Sequence, residues 1–193
     1  MRLTKRQREL RAEVSDLIHL QGLSSEISHV DANLRTTYLE LARRSLITSG
    51  ILSRYLYIDE LLSDLFCREF FPNRTFAQLW RTVKFKAFNH YVLERLYLVQ
   101  KADFLRARGQ LPKTIYKDLM ALNELRNAVA HSFFPENRRV RPAWKGTDVL
   151  SKAGFEGFWY DTLIVGDFLV RKLSQITRRD RGAVMESKST AIF

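Results

Sequence analysis

The sequence predicts an all-α protein, a helical bundle of about six helices in a single domain. Three observations carry this. Gly and Pro are scarce, at 8 and 4 copies. Long amphipathic stretches dominate, and no segment shows the strict alternation of a half-buried strand. With 193 residues, 46% of them hydrophobic, the chain can bury a core of its own. Its 13 Phe, 7 Tyr and 3 Trp exclude a disordered polymer.

The first helix is expected over about residues 3–20, strongly basic on its outer face, and Gly22 with Ser24-Ser25 breaks it. Asp31 is a good N-cap for a second helix running to Ile47. Gly50 punctuates, and a third helix covers about 51–71 until Pro72-Asn73 stops it. Thr75 with Gln78 reads as a capping box for the fourth helix. That helix extends toward Arg106 with a kink near Asn89-His90, and Gly109 closes it. Pro112 opens the fifth at a first-turn position, where a missing N–H does no harm. It runs to about His131, where Phe133-Phe134-Pro135 ends it. A basic loop over 136–146 follows. The last helix, about 157–177, is apolar almost all round and should be well buried. The domain thus spans 1–178 with a core of about 31–177, and 179–193 reads as a flexible polar tail.

The single cysteine, Cys67, rules out an intramolecular disulfide and points to a reducing compartment. It lies in the apolar run Leu65-Phe66-Cys67 and is expected to pack rather than react. No signal peptide is apparent. No apolar stretch nears the roughly 20 residues of a membrane helix; the longest, 162–170, is interrupted by Asp167. A soluble cytoplasmic protein without membrane contact is the expectation. The formal net charge of +11 suits a polyanionic partner. The charge is gathered at the start (Arg2, Lys5, Arg6, Arg8, Arg11), in the loop (Arg138, Arg139, Arg141, Lys145) and near the end (Arg171, Lys172, Arg178, Arg179, Arg181). Plain solvated surface is the competing account.

No Gly-rich phosphate loop is present, and His19, His29, His90 and His131 lack metal-ligand spacing. Nor is there a Ser-His-Asp order. No metal or cofactor is expected. Trp80, Trp144, Trp159 and Tyr160 can stack on bases. Trp159 and Tyr160 are expected in the core, and Trp144, in the basic loop, is the best stacking candidate.

The fifth helix is the informative one. Ile115, Leu119, Leu122, Leu125 and Val129 recur at spacings of three and four, and Arg126 falls inside that stripe. A core-facing guanidinium needs compensation or an interface. On the third helix Asp59 borders the stripe of Tyr55, Ile58, Leu62, Leu65 and Phe66, so an Asp59–Arg126 pair is expected. That pair is either a support for a site or a plain buried salt bridge. His131 stands five residues beyond Arg126, about 140° round a regular helix. Alone it reads as a cation at the negative end of a helix.

The segment Asn123-Glu124-Leu125-Arg126-Asn127-Ala128-Val129-Ala130-His131-Ser132 resembles the HEPN family, whose hallmark is an Arg, four to six intervening residues, then His. Arg-Asn is its commonest opening. The run Tyr57-Ile58-Asp59-Glu60-Leu61-Leu62-Ser63-Asp64-Leu65 is similar to the acidic, leucine-rich helix of that family, with the mannitol operon repressor-like branch nearest. The likeness covers about residues 51–134, and looser helical matching reaches Lys172. It implies a helical bundle that dimerises, so that two Arg–His pairs meet in one cleft. It further implies a metal-independent endoribonuclease, acting as a toxin beside an antitoxin or in antiviral defence. A non-catalytic regulator or scaffold that binds protein or nucleic acid is the alternative.

The chemistry suits the residues. An imidazole near neutrality can move the proton of an RNA 2′-hydroxyl. A guanidinium can brace the phosphate. On this reading Arg126 and His131 are catalytic. Asn127 either joins them or simply satisfies a helix end. Asp59 supports, and Arg138, Arg139, Arg141, Lys145 and Trp144 contact RNA. Some HEPN toxins carry a modifiable Tyr two residues after the His. Phe133 stands there, which argues against control by tyrosine modification.

Overall fold

The computed structural model describes the backbone of residues 32–72, 76–130 and 142–190, and the side chains of 43–72, 78–130 and 142–176. The expected first helix, Thr75, His131, Phe133, Arg138, Arg139 and Arg141 lie outside the described residues. What is described is predominantly α-helical. The chain falls into two compact units, Met1–Leu46 and Ile47–Phe193. Of the first, the described part is helix from Ala32 onward, and Leu46 is exposed at its end.

Helix α1 spans Ala32–Phe70. Two helices with a break at Gly50 were expected; one continuous helix forms. A lone Gly lowers helix propensity by only about 1 kcal/mol relative to Ala. Here its small size is used. A Cβ at Gly50 would meet the Phe155 ring edge at 3.0 Å. In the second unit α1 buries Ile47, Ile51, Ile58, Leu62, Leu65 and Phe66 along one stripe.

The expected fourth helix is divided. Helix α2 is the single turn Phe76–Leu79, and α3 covers Val83–Tyr91, its N-cap Thr82 accepting the Phe85 N–H. A 3₁₀ turn, Leu93–Arg95, leads to α4, Leu98–Ala107. The interruptions thus fall at 80–82 and at 92–97, on either side of the predicted kink. Beyond α4, Gly109 adopts φ 69°. Its N–H bonds the Arg106 carbonyl at 3.0 Å, and the Gln110 N–H reaches Leu105 at 2.8 Å. This is the Schellman closure that favours Gly.

Helix α5, Lys113–Ala130, follows Pro112, whose carbonyl accepts the Tyr116 N–H at 3.0 Å. All five stripe residues, Ile115, Leu119, Leu122, Leu125 and Val129, are buried as expected. The end of the basic loop is a small antiparallel hairpin, β1 (Ala143–Trp144) paired with β2 (Thr147–Asp148). Lys145 and Gly146 turn it with φ of 48° and 86°, a pair of left-handed residues that matches strand twist.

Helix α6 runs Lys152–Thr190, starting earlier than expected and continuing through the segment read as a tail. Its core side is Phe158, Thr162, Val165, Leu169 and Leu173. It is not buried all round. Trp159, Tyr160, Leu163, Ile164 and Val170 are exposed, so the two aromatics expected in the core are not there. One helix face fits against α1, α5 and the hairpin; no described element covers the exposed residues of the same helix. Within the bundle α4 packs on α5, and α5 on α6 and β1. Phe66, Phe70, Phe71, Phe85, Phe88 and Phe104 join the end of α1 to α3 and α4.

Candidate functional site

Among the described residues, cations occupy apolar stripes. Arg54 lies between Ile51 and Ile58 on α1, Lys101 between Leu98 and Leu105 on α4, and Arg126 between Leu122 and Val129 on α5. Each must be compensated, since an isolated charge is costly to bury. How each is compensated separates scaffold from site.

Arg54 ties α1 to α6. Its Nη2 donates to the Thr162 carbonyl at 2.8 Å and its Nε to Thr162 Oγ1 at 3.3 Å. The guanidinium lies over the Tyr57 and Trp159 rings at 5.0 and 5.6 Å. Burial lowers its pKa, partly offset by Tyr57 and Asp167. Lys101 is almost wholly buried. Its Nζ donates to both Asp59 oxygens, at 2.9 and 3.0 Å, and to Ser63 Oγ at 2.9 Å.

That arrangement corrects the expected Asp59–Arg126 pair. Asp59 is taken by Lys101, because α4 delivers an ammonium to the acidic edge of α1. The signal was present in the sequence, for Leu98, Lys101, Ala102 and Leu105 repeat at helical spacing.

Arg126 is therefore left without a carboxylate among the described residues. Its guanidinium sits over the Tyr55 ring, 5.4 Å from the centroid. Nη1 donates to Asn127 Oδ1 at 3.1 Å. A guanidinium carries five N–H donors, so four have no acceptor among the described residues. Arg126 and Asn127 line a cleft of about 500 Å³ together with Tyr55, Tyr97, Val99, Gln100 and Asn123. Helix α5 supplies Asn123, Arg126 and Asn127; α1 supplies Tyr55; the first turn of α4 supplies the rest. Gln100 Oε1 caps that turn by accepting the Tyr97 N–H at 2.8 Å. The positive end of α4 thus borders the cleft beside Arg126, and both favour an anion. Burial and Asp59 raise the Tyr55 pKa, while Arg126 and the Leu98 backbone pull it down; the phenol stays neutral.

The loop residues sort differently. Trp144 was the expected stacking platform, but its indole is 3% exposed. Its Nε1 donates to Asp161 Oδ2 at 2.8 Å and its ring meets Phe158 edge-on. Tertiary packing has drawn it into the core, where no base can reach it. Lys145, expected on RNA, bridges Asp118 at 2.9 Å and Asp161 at 3.0 Å. Burial opposes its charge, but the two carboxylates outweigh this and raise its pKa. Asp161 is the converse: burial pushes its pKa up, yet Trp144 and Lys145 bring the net value down. The hairpin is thereby pinned to α5 and α6, and Lys145 is no free phosphate ligand. Trp80 is half-exposed and borders a second cleft with Tyr57, Glu60 and Glu94. That cleft is too acidic for RNA. Cys67 is buried and its pKa is pushed up to about 12 by burial, so it serves packing.

No helix among the described residues is long and apolar enough to cross a membrane. No protein-family model matches the chain, and no curated protein or solved structure matches it either.

Proposed function

We propose that this protein is a metal-independent endoribonuclease of the HEPN type, serving as a toxin or in antiviral defence, with Arg126 and His131 as its catalytic residues. The observation that carries the reading is the state of Arg126. Among the described cations on apolar stripes, Lys101 is paired with a carboxylate and Arg54 is tied to α6. Arg126 lines an open cleft, and most of its donors have no acceptor among the described residues.

In this mechanism Arg126 braces the phosphate through paired N–H donors. His131 accepts the 2′-hydroxyl proton as that oxygen attacks phosphorus, and the P–O5′ bond breaks. The leaving 5′-oxygen takes up a proton, giving a 2′,3′-cyclic phosphate and a 5′-hydroxyl. Asn127 holds the guanidinium in place through its Oδ1 and offers its amide to the phosphate. Arg138, Arg139 and Arg141 extend contact along the RNA backbone. Asp59 acts at a distance, by fixing α4 to α1 through Lys101. RNA and a second copy of this chain are the partners, with an antitoxin or other regulatory protein besides.

A second reading, a non-catalytic regulator or scaffold, is favoured by one feature. The strip Trp159, Leu163, Ile164 and Val170 on α6 is apolar and exposed, as suits a protein-binding surface.

The test is incubation of purified protein with single-stranded RNA in EDTA. Cleavage leaving 2′,3′-cyclic ends, lost in Arg126→Ala and His131→Ala while the helical signal persists, is expected. Intact RNA across varied sequence, pH and salt would overturn the nuclease and leave the scaffold. In that case His131→Ala would lower only stability or self-association.

A further inference from the structure

The cleft holding Arg126 contains more than a phosphate ligand needs, and the surplus has a consistent chemistry. Among the described residues that line it, Arg126 is the one cation; the others are two tyrosines, three amide side chains and Val99. One guanidinium suits one phosphate, which leaves the uncharged groups of this lining for what is attached to it. Tyr97 is 74% exposed at the rim. It precedes α4 where small capping residues are preferred, and its side chain makes no cap bond. Asn123 is partly buried, yet its amide has no hydrogen-bond partner among the described residues. An amide presents a donor beside an acceptor, the pattern complementary to the edge of a nucleobase. Gln100 has committed its oxygen to the α4 cap and retains its NH₂. The volume, about 500 Å³, falls in the range of about 300–1,000 Å³ usual for small-molecule sites.

We propose that this cleft is a single-nucleotide subsite, in which Arg126 takes one phosphate, Tyr97 stacks on the attached base and Asn123 reads its edge. The proposal deepens the nuclease reading and rests on its assignment of Arg126 to phosphate. It makes Tyr97 and Asn123 determinants of which nucleotide is held, and Arg126 indifferent to base.

The experiment is an NMR-monitored titration of the full chain with AMP, CMP, GMP, UMP and ribose 5-phosphate. At least one nucleotide is expected to bind about ten-fold more tightly than ribose 5-phosphate, as stacking on an exposed aromatic provides. Tyr97→Ala removes most of that advantage and leaves ribose 5-phosphate unchanged, whereas Tyr97→Phe preserves it. Asn123→Ala alters the ranking of the four bases. Equal affinity for nucleotides and ribose 5-phosphate, or an advantage surviving Tyr97→Ala, overturns the subsite. Binding of all five untouched by Arg126→Ala overturns it too, together with the phosphate assignment. Nucleotide binding with these mutational effects, alongside RNA that stays uncut, supports the subsite and sinks the nuclease alone.

Discussion

Replacing Asp59 by Ala removes the carboxylate that neutralises Lys101, whose side chain is 4% exposed. Breaking a buried pair from one side costs about 3–5 kcal/mol, because the remaining charge stays in low dielectric. Two features place Asp59→Ala toward the lower end. Ser63 Oγ still accepts one Lys101 N–H, and the Asp59 side chain is 27% exposed, so water can enter the space it leaves. About 3 kcal/mol is expected, which for a chain of this size lowers Tm by roughly 6–12 °C. Lys101→Met keeps the apolar stem packed and leaves Asp59 open to solvent, so about 1 kcal/mol is expected. In the double variant no charge is stranded, and its loss should fall well short of the sum, a coupling of at least about 1 kcal/mol. Urea unfolding followed by far-ultraviolet circular dichroism reads all four states of the cycle. Additive losses, or an Asp59→Ala cost under about 1 kcal/mol, would refute the Asp59–Lys101 pairing.

A methyl group at Gly154 would run into the Asp148 carbonyl, so Gly154→Ala should cost about 1–3 kcal/mol. At Gly157 nothing lies within 4 Å, and Gly157→Ala should gain up to about 1 kcal/mol in the same unfolding assay. The folded-state pKa of Asp161 is lowered. Its contribution is therefore full above the ordinary aspartate value of about 4 and is lost as pH falls through the folded value. Asp161→Asn should lack that part of the acid limb in a stability–pH series. Lys145 is raised, so its contribution is present below about pH 10.4 and lost as pH climbs through the folded value; Lys145→Met should flatten the alkaline limb. Cys67, buried with its pKa near 12, should react with a thiol reagent at neutral pH only as fast as the protein opens, and at once in denaturant.

Much of the architecture is legible in the amino-acid order, because helical periodicity and capping are local. The α5 stripe, the Pro112 start and the Gly109 stop all follow from residues within a turn or two of one another. The presence of Arg126 on that stripe follows in the same way. Gly50 misleads because propensity is a weak local term, which the close fit of Phe155 overrides. The Trp144 hairpin misleads for the same reason, since Asp118 and Asp161, distant along the chain, decide where Lys145 and the indole go.

The sequence by itself determined an α-helical chain with cations on its apolar stripes, since burying a helix face is a matter of spacing. Which carboxylate meets which cation was settled only in three dimensions. Asp59 had two cations within plausible reach of its helix, and helix docking gave it Lys101. Arg126 was thereby left over Tyr55 at the mouth of a cleft. Coulomb attraction acts between neighbours in space, and neither spacing nor composition records which neighbours those are.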